Sequence, residues 1–290
     1  AIVIGLLAVL ALFPNSAWAG EKPIVVATFS ILADLAQRVG GDHIQVLTLV
    51  GPNGDAHAFE PGPRQSAELS EAAVLIANGL GFEPWLARLE ASSGFAGKAI
   101  VCSDGVATLG WDTQPETPDP HAFQDVANAE IYATSIANAL SAADPVHAAD
   151  FNANAGMLIA SMKDLDRELK AEFAAIPPER RRVLTSHNAF QYFGRAYGIE
   201  FVAVQGISTE AEPTSEDLAN IVRQARAGRI SAVFFENMAD PRLAETVARE
   251  AGARLGGELY ADALSEPDGP APDYLSLMRF NARQLLAAMQ

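Results

Sequence analysis

The fold is decided by residues 146–175, whose sequence is VHAADFNANAGMLIASMKDLDRELKAEFAA. Large apolar residues recur there mostly at steps of three and four, with charged residues between them, which predicts an amphipathic helix. Pro145 precedes the pattern and Pro177 and Pro178 follow it, as expected at the start and beyond the end of a helix. A helix of about 30 residues is about 45 Å long, enough to join two domains. The apolar residues of the pattern are Phe151, Met157, Leu158, Met162, Leu165, Leu169 and Phe173.

Short apolar runs alternate with helical patterns on both sides of this stretch. Such runs are typical of strands buried in a parallel sheet. The predicted fold class is therefore α/β, with two (βα)4-type lobes, each built on a parallel sheet, joined by one long rigid helix. Ligands of such lobes bind beyond the carboxyl ends of the strands, so we expect a site in the cleft between the lobes. The predicted strands are Ile24–Phe29, Ile44–Val50, Val74–Asn78, Ala99–Cys102, Val183–Ser186, Phe201–Val204, Ala232–Glu236 and Arg254–Tyr260. The predicted helices, apart from the long one, are Ile31–Val39, Val126–Leu140, Ala189–Tyr197, Ser215–Ala227, Pro241–Glu250 and Tyr274–Met289.

The same patterns predict the domain boundaries. After a signal peptide at residues 1–19, we expect an N-terminal lobe at 20–145, the linking helix at 146–178 and a C-terminal lobe at 179–290. Residues 111–120, WDTQPETPDP, contain three prolines and are predicted to form a loop.

The N-terminus has the pattern of an export signal. Residues 2–13, IVIGLLAVLALF, are continuously apolar, and Ala17-Trp18-Ala19 fits an A-x-A cleavage site. The run is shorter than the roughly 20 residues that a transmembrane helix needs. We therefore predict cleavage after Ala19 and a periplasmic protein.

The charge of the chain argues against one class of partner. The 36 acidic residues outnumber the 20 Lys and Arg residues, which leaves a formal net charge of -16. An acidic protein repels phosphate backbones, so nucleic acid is not an expected partner.

Three of the five histidines follow predicted strands or the proline-rich loop. His57 lies in a turn-rich segment after the second strand, and His187 comes directly after the strand that ends at Ser186. His121 follows the loop at 111–120 and precedes a helix. These are the places where an α/β fold builds sites, whereas His43 and His147 are expected to be solvated surface residues.

Three imidazoles predict a site for a metal ion. Neutral nitrogen donors favour Zn²⁺ and also accept Cu²⁺ or Ni²⁺. A fourth ligand would complete a tetrahedron. Asp262, Glu236 and Asp104 are all placed to supply it, and their spacing in the sequence does not choose among them.

Several segments of the chain resemble the zinc- and manganese-type solute-binding proteins of ABC importers, the group that includes ZnuA, TroA and AztC. Together these segments run through most of the sequence that follows the predicted signal peptide, in the same order as in that family. They are GDAHAFEPGP at 54–63, DPHAFQDVANA at 119–129, LTSHNAFQYFGRAYGI at 184–199, VQGISTEAEPTSEDLANIV at 204–222, VFFENMADPRLAETVAREAGA at 233–253, and the Asp262 region followed by DYLSLMRFNARQL at 273–285.

The resemblance implies metal ligands at His57, His121, His187 and Asp262. It further implies Zn²⁺ as the transported ligand, because the third ligand is His in the family's zinc proteins and tends to be Glu in its manganese proteins. Many zinc members carry a His-rich tract before the second ligand, but residues 112–119 contain no histidine.

On this basis we expect a monomeric, non-catalytic protein that delivers Zn²⁺ to the permease of an ABC importer in the inner membrane. A zinc chaperone is a further candidate partner. Three alternatives remain: a manganese or broad divalent-metal binding protein, a zinc-dependent hydrolase with Glu236 as its base, and a metal-binding adhesin.

Overall fold

The computed structural model describes residues 22–111, 114–204, 209, 214–227 and 230–290. The predicted signal peptide at 1–19 lies outside this part of the chain. Among the described residues, no helix combines the length and apolar character that crossing a bilayer requires.

The first lobe is built on a parallel sheet with the strand order β2-β1-β3-β4 among the described residues. Its strands are β1 (Ile24–Phe29), β2 (Gln45–Val50), β3 (Val74–Ala77) and β4 (Lys98–Val101), and its first helices are α1 (Ser30–Gly40), α2 (Pro63–Ser70) and α3 (Leu86–Ser93). β1 and β3 are buried almost throughout, as their apolar sequences predict. β4 lies at the edge of the sheet and is mostly exposed, so the expectation that it is buried on both faces is wrong.

The prediction of a loop at 111–120 is wrong over most of its described residues, which belong to a short antiparallel strand pair. Its strands are β5 (Gly110–Trp111) and β6 (Gln114–Pro118). The prolines are compatible with this pairing because a two-stranded ribbon leaves outward-facing positions that need no backbone N–H donor. Helix α4 (Val126–Ala143) follows, with the Asp125 carboxylate accepting a hydrogen bond from the Ala127 N–H at its N-terminus.

The long helix α5 spans Ala148–Ala174 and contacts helices of both lobes. It is 27 residues long and begins two residues later than predicted, because Pro145–His147 forms a separate 3-10 turn. Of the apolar residues that predicted it, Met157 is 64% exposed and the other six are buried. The helix therefore presents one continuous apolar face to the lobes.

The second lobe has a parallel sheet with the strand order β10-β9-β7-β8 among the described residues. Its strands are β7 (Arg182–Thr185), β8 (Glu200–Ala203), β9 (Ala232–Glu236) and β10 (Arg254–Leu259). Its helices are α6 (Gln191–Tyr197), α7 (Ser215–Ala227), α8 (Pro241–Ala251) and α9 (Tyr274–Met289). The predicted architecture of two parallel α/β lobes joined by a long helix is confirmed.

Buried hydrogen bonds join the two lobes directly. The Tyr274 hydroxyl donates to the Phe123 carbonyl at 2.7 Å, and the Gln124 side-chain amide donates to the Ala261 carbonyl at 2.6 Å. The Tyr274 N–H also donates to the Asp34 carboxylate at 2.9 Å. One apolar core extends from the first sheet to α9, so the lobes share packing as well as hydrogen bonds. Such a junction resists a wide hinge motion.

Candidate metal centre

His57 is held in a turn after β2. The Asp55 carboxylate accepts hydrogen bonds from the His57 N–H at 2.9 Å and the Ala58 N–H at 3.3 Å, as in an Asx-turn. The Trp85 indole N–H donates to the Ala56 carbonyl at 2.7 Å and holds the same turn from the α3 side. The His57 ring is thereby buried, with only 3% of the residue exposed.

His121 is oriented by the aspartate two residues before it. Asp119 Oδ1 accepts from the His121 N–H at 2.9 Å and lies 2.8 Å from Nδ1 of the ring. An ionised carboxylate can only accept, so Nδ1 carries the proton and Nε2 is the atom left to face the cleft. Both residues are completely buried.

His187 follows β7, and Glu236 at the end of the neighbouring strand β9 supports its backbone. Glu236 Oε1 accepts from the Ser186 N–H at 2.9 Å and from the His187 N–H at 3.3 Å. His187 is 1% exposed and Glu236 is fully buried.

Asp262 lies after β10 and meets all three rings. One ligand atom from each of the four residues lies within 4.8 Å of every other, which makes them a group able to hold a metal ion. His187 Nε2 is 3.1 Å and His57 Nε2 is 3.4 Å from Asp262 Oδ2, and His121 Nε2 is 3.5 Å from Oδ1. The Nε2 atoms of His57 and His121 are 3.2 Å apart. Two residues come from each lobe, so the site closes the cleft between them.

The charges of these groups are strongly coupled. Burial lowers the pKa of His187, but the Asp262 carboxylate and the nearby Glu236 carboxylate outweigh it and raise the value to about 10. Burial also lowers the pKa of His121, but the Asp262 carboxylate opposes this effect, and the pKa of His121 is raised overall. Burial favours neutral Asp262, but the two imidazoles hold its pKa well below its usual range. The Asp262 carboxylate and the neighbouring imidazoles therefore each favour the charged form of the other.

The other candidates from the sequence lie outside this group. Asp104 is exposed in the turn after β4. Glu236 contacts the His187 segment but is not a member of the four-residue group. His43 and His147 are partly exposed and stack on each other with their ring centroids 4.0 Å apart. Their ring nitrogens bond Asp150 and Asp144, so these two histidines form a separate surface pair.

The sequence interpretation missed the orienting role of two aspartates. Asp55 and Asp119 each stand two residues before a site histidine and accept that residue's backbone N–H. The repeated Asp-x-His pattern was available in the sequence as a signal, because an aspartate commonly bonds the backbone two residues on.

Two α/β lobes with a buried histidine and aspartate cluster between them define a two-lobed metal-binding protein. The model of the ZnuA family, described as zinc-uptake complex component A, periplasmic, matches residues 25–288. The chain therefore belongs to the ZnuA family of periplasmic metal-binding proteins of ABC importers. It is a binding protein and not an enzyme.

Relatives and solved structures agree with this assignment. The iron-binding protein YfeA of Yersinia pestis is 33% identical over 266 residues, which is 91% of this chain and 85% of YfeA. The manganese ABC transporter substrate-binding lipoprotein PsaA of Streptococcus anginosus is 30% identical, covering 92% of this chain and 89% of PsaA.

Among solved structures, a manganese-bound mutant of a periplasmic metal binding protein from Candidatus Liberibacter asiaticus is 30% identical. It superposes with a TM-score of 0.86 over 93% of this chain and 100% of that chain. The periplasmic zinc binding protein TroA of Treponema pallidum has the same fold, with a TM-score of 0.88 at 23% identity over 93% of this chain and 99% of TroA. The names of these proteins include zinc, iron and manganese, so sequence similarity alone does not identify the metal.

Proposed function

We propose that this protein captures Zn²⁺ in the periplasm and delivers it to the permease of an ABC importer. The observation that carries the proposal is the convergence of three imidazoles and one carboxylate in a buried space between the lobes. His57, His121, His187 and Asp262 would be the metal ligands.

The donor set favours zinc over manganese. Three nitrogen donors and one carboxylate suit Zn²⁺, whereas Mn²⁺ prefers sites richer in oxygen. Four protein ligands also fill the usual tetrahedron of zinc, while a catalytic zinc site keeps one position open for water. The arrangement therefore favours binding and transfer of the ion.

Release of the ion would require movement at the lobe junction. The loop that carries Asp262 is tied to the first lobe, because the Asn53 N–H donates to the Leu264 carbonyl and the Leu264 N–H donates to Ser30 Oγ, both at 2.9 Å. Contact with the permease would break such bonds and withdraw Asp262 from the three rings. The shared core makes this local movement less costly than separating the lobes.

A second candidate function is transport of Mn²⁺ or Fe²⁺. Relatives at 30–33% identity carry the names of those metals, and a manganese-bound structure has the same fold. Most nitrogen and oxygen sites bind Zn²⁺ more tightly than Mn²⁺ or Fe²⁺, so a ranking of affinities alone does not decide between the candidates.

The test therefore measures both metal content and coordination. The full chain is exported to the periplasm of a bacterial host in medium with manganese and iron in excess over zinc, then analysed for bound metals. We expect one zinc per chain, and X-ray absorption showing four nitrogen or oxygen ligands at about 2.0–2.1 Å. Manganese or iron at one per chain, or a six-coordinate zinc, would overturn the proposal.

A further inference from the structure

Among the residues that the structure describes, two buried polar atoms beside the metal centre face each other and have no hydrogen-bond partner. They are Nδ1 of His187 and Oε2 of Glu236, which lie 3.6 Å apart. Leaving such atoms unpaired away from water is unfavourable, so native structures rarely keep them without a reason.

The other carboxylate oxygen of Glu236, Oε1, fixes the orientation of this side chain towards His187. Oε1 accepts the backbone N–H groups of Ser186 and His187 itself. These bonds tie the carboxylate to the peptide segment that carries the ring. Oε2 is consequently held next to Nδ1 whenever the segment is in place.

A metal ion would turn this near-contact into a hydrogen bond. A neutral imidazole that binds metal through Nε2 carries its proton on Nδ1, and that N–H needs an acceptor. A shift of about 0.5 Å brings the two atoms within normal hydrogen-bond distance. His121 already has the equivalent bond, at 2.8 Å to Asp119.

We infer that Glu236 is the positioning residue of the second lobe: it accepts the Nδ1 proton of His187 and holds that ring in the tautomer that presents Nε2 to the metal. This inference rests on the proposed binding of a metal by His187. Glu236 acts through His187 and is not itself a ligand, because its Oε1 is occupied by two N–H donors and its Oε2 lies on the Nδ1 side of the ring.

Glu236→Gln tests the inference with a side chain of the same shape. The amide oxygen still accepts the two backbone N–H groups, but its NH₂ group then faces Nδ1. That donor favours the opposite tautomer, with the proton on Nε2, where it blocks the metal. We expect zinc affinity to fall by about 10- to 100-fold, the range found when such outer partners are lost. Glu200→Gln, at the exposed first residue of strand β8, is the matched control and should bind as the wild type does.

A second measurement reports the hydrogen bond from Nδ1 directly. In the zinc-loaded wild-type protein, the NMR signal of the His187 Nδ1 proton should lie well downfield of an unbonded imidazole N–H, as should that of His121, whose Nδ1 bonds Asp119. This readout requires no variant, so it decides the question even if Glu236→Gln fails to fold.

The outcomes separate the two proposals. Titrations use Zn²⁺ and Mn²⁺ in parallel, and each variant is compared with the wild type for the metal that the wild type binds. A wild-type protein that prefers Mn²⁺ overturns the proposed zinc function but leaves Glu236 testable with Mn²⁺. Wild-type affinity in Glu236→Gln, or a His187 Nδ1 proton whose signal lies at the position of an unbonded imidazole N–H, overturns the role of Glu236 alone.

Discussion

His187 Nε2 lies 3.1 Å from Asp262 Oδ2, although 75 residues separate them in the chain. Each follows a strand of the second sheet, β7 for His187 and β10 for Asp262. Because parallel strands end at the same edge of a sheet, two distant loops deliver an imidazole and a carboxylate to one point. His57 and His121 reach that point from the first lobe.

Removing the third imidazole should abolish tight binding. We expect His187→Ala to weaken zinc binding by about 100-fold or more, because one of the four metal donors is removed. This loss should exceed the effect of removing a residue that only orients a ligand. Competition against a chromogenic chelator measures the change. His147→Ala is the matched control, since its ring belongs to the surface pair with His43. Equal affinity in His187→Ala and the wild type would rule out His187 as a ligand.

Exchanging the same imidazole for a carboxylate should change the metal preference. His187→Glu replaces a nitrogen donor by a harder oxygen donor, which suits Mn²⁺ better than an imidazole does. We expect the ratio of zinc to manganese affinity to fall relative to the wild type. Titration of both metals against both proteins measures this ratio. An unchanged ratio would mean that the third ligand does not set selectivity.

Metal binding should release protons. Burial lowers the pKa of His187, but Asp262 and Glu236 raise it to about 10, so the metal-free protein holds a proton there at neutral pH. A metal on Nε2 displaces that proton. Affinity should therefore rise with pH until about 10, by about tenfold per unit for each proton released, and fall in acid.

Calorimetry in two buffers of different ionisation enthalpy counts these protons. Because the pKa of His187 is higher in the fold than its ordinary value of about 6.5, protonation of His187 stabilises the metal-free folded protein. This stabilisation is complete below about pH 6.5 and is lost as the pH rises through about 10. Binding that is independent of pH between about 6 and 8 would contradict a protonated His187.

The junction between the lobes should depend on a single buried hydroxyl. Tyr274→Phe removes the 2.7 Å hydrogen bond to the Phe123 carbonyl and leaves the packing of the ring unchanged. We expect the free energy of unfolding to fall by about 1 kcal/mol, which urea denaturation of the metal-free protein measures. A stability equal to that of the wild type would show that this bond makes no net contribution to the junction.

Most of the fold could be predicted because its elements have strong local patterns. The runs at Ile24–Phe29 and Ala232–Glu236 match strands β1 and β9, and Ser215–Ala227 matches helix α7. Helices α2 and α3 were not predicted. Each has only eight residues and one fully buried side chain, so neither carries a clear apolar period.

By itself, the sequence determined that three histidines stand where an α/β fold places its sites, because a position after a strand, as for His57 and His187, or before a helix, as for His121, is a local property. The spacing of residues left Asp262, Glu236 and Asp104 equally placed as the fourth member, and only the family resemblance pointed to Asp262. Only the tertiary structure brings Asp262 to all three rings, sets Glu236 behind His187 and leaves Asp104 exposed. The physical reason is that the order of strands in each sheet and the packing of one lobe against the other decide which loops meet.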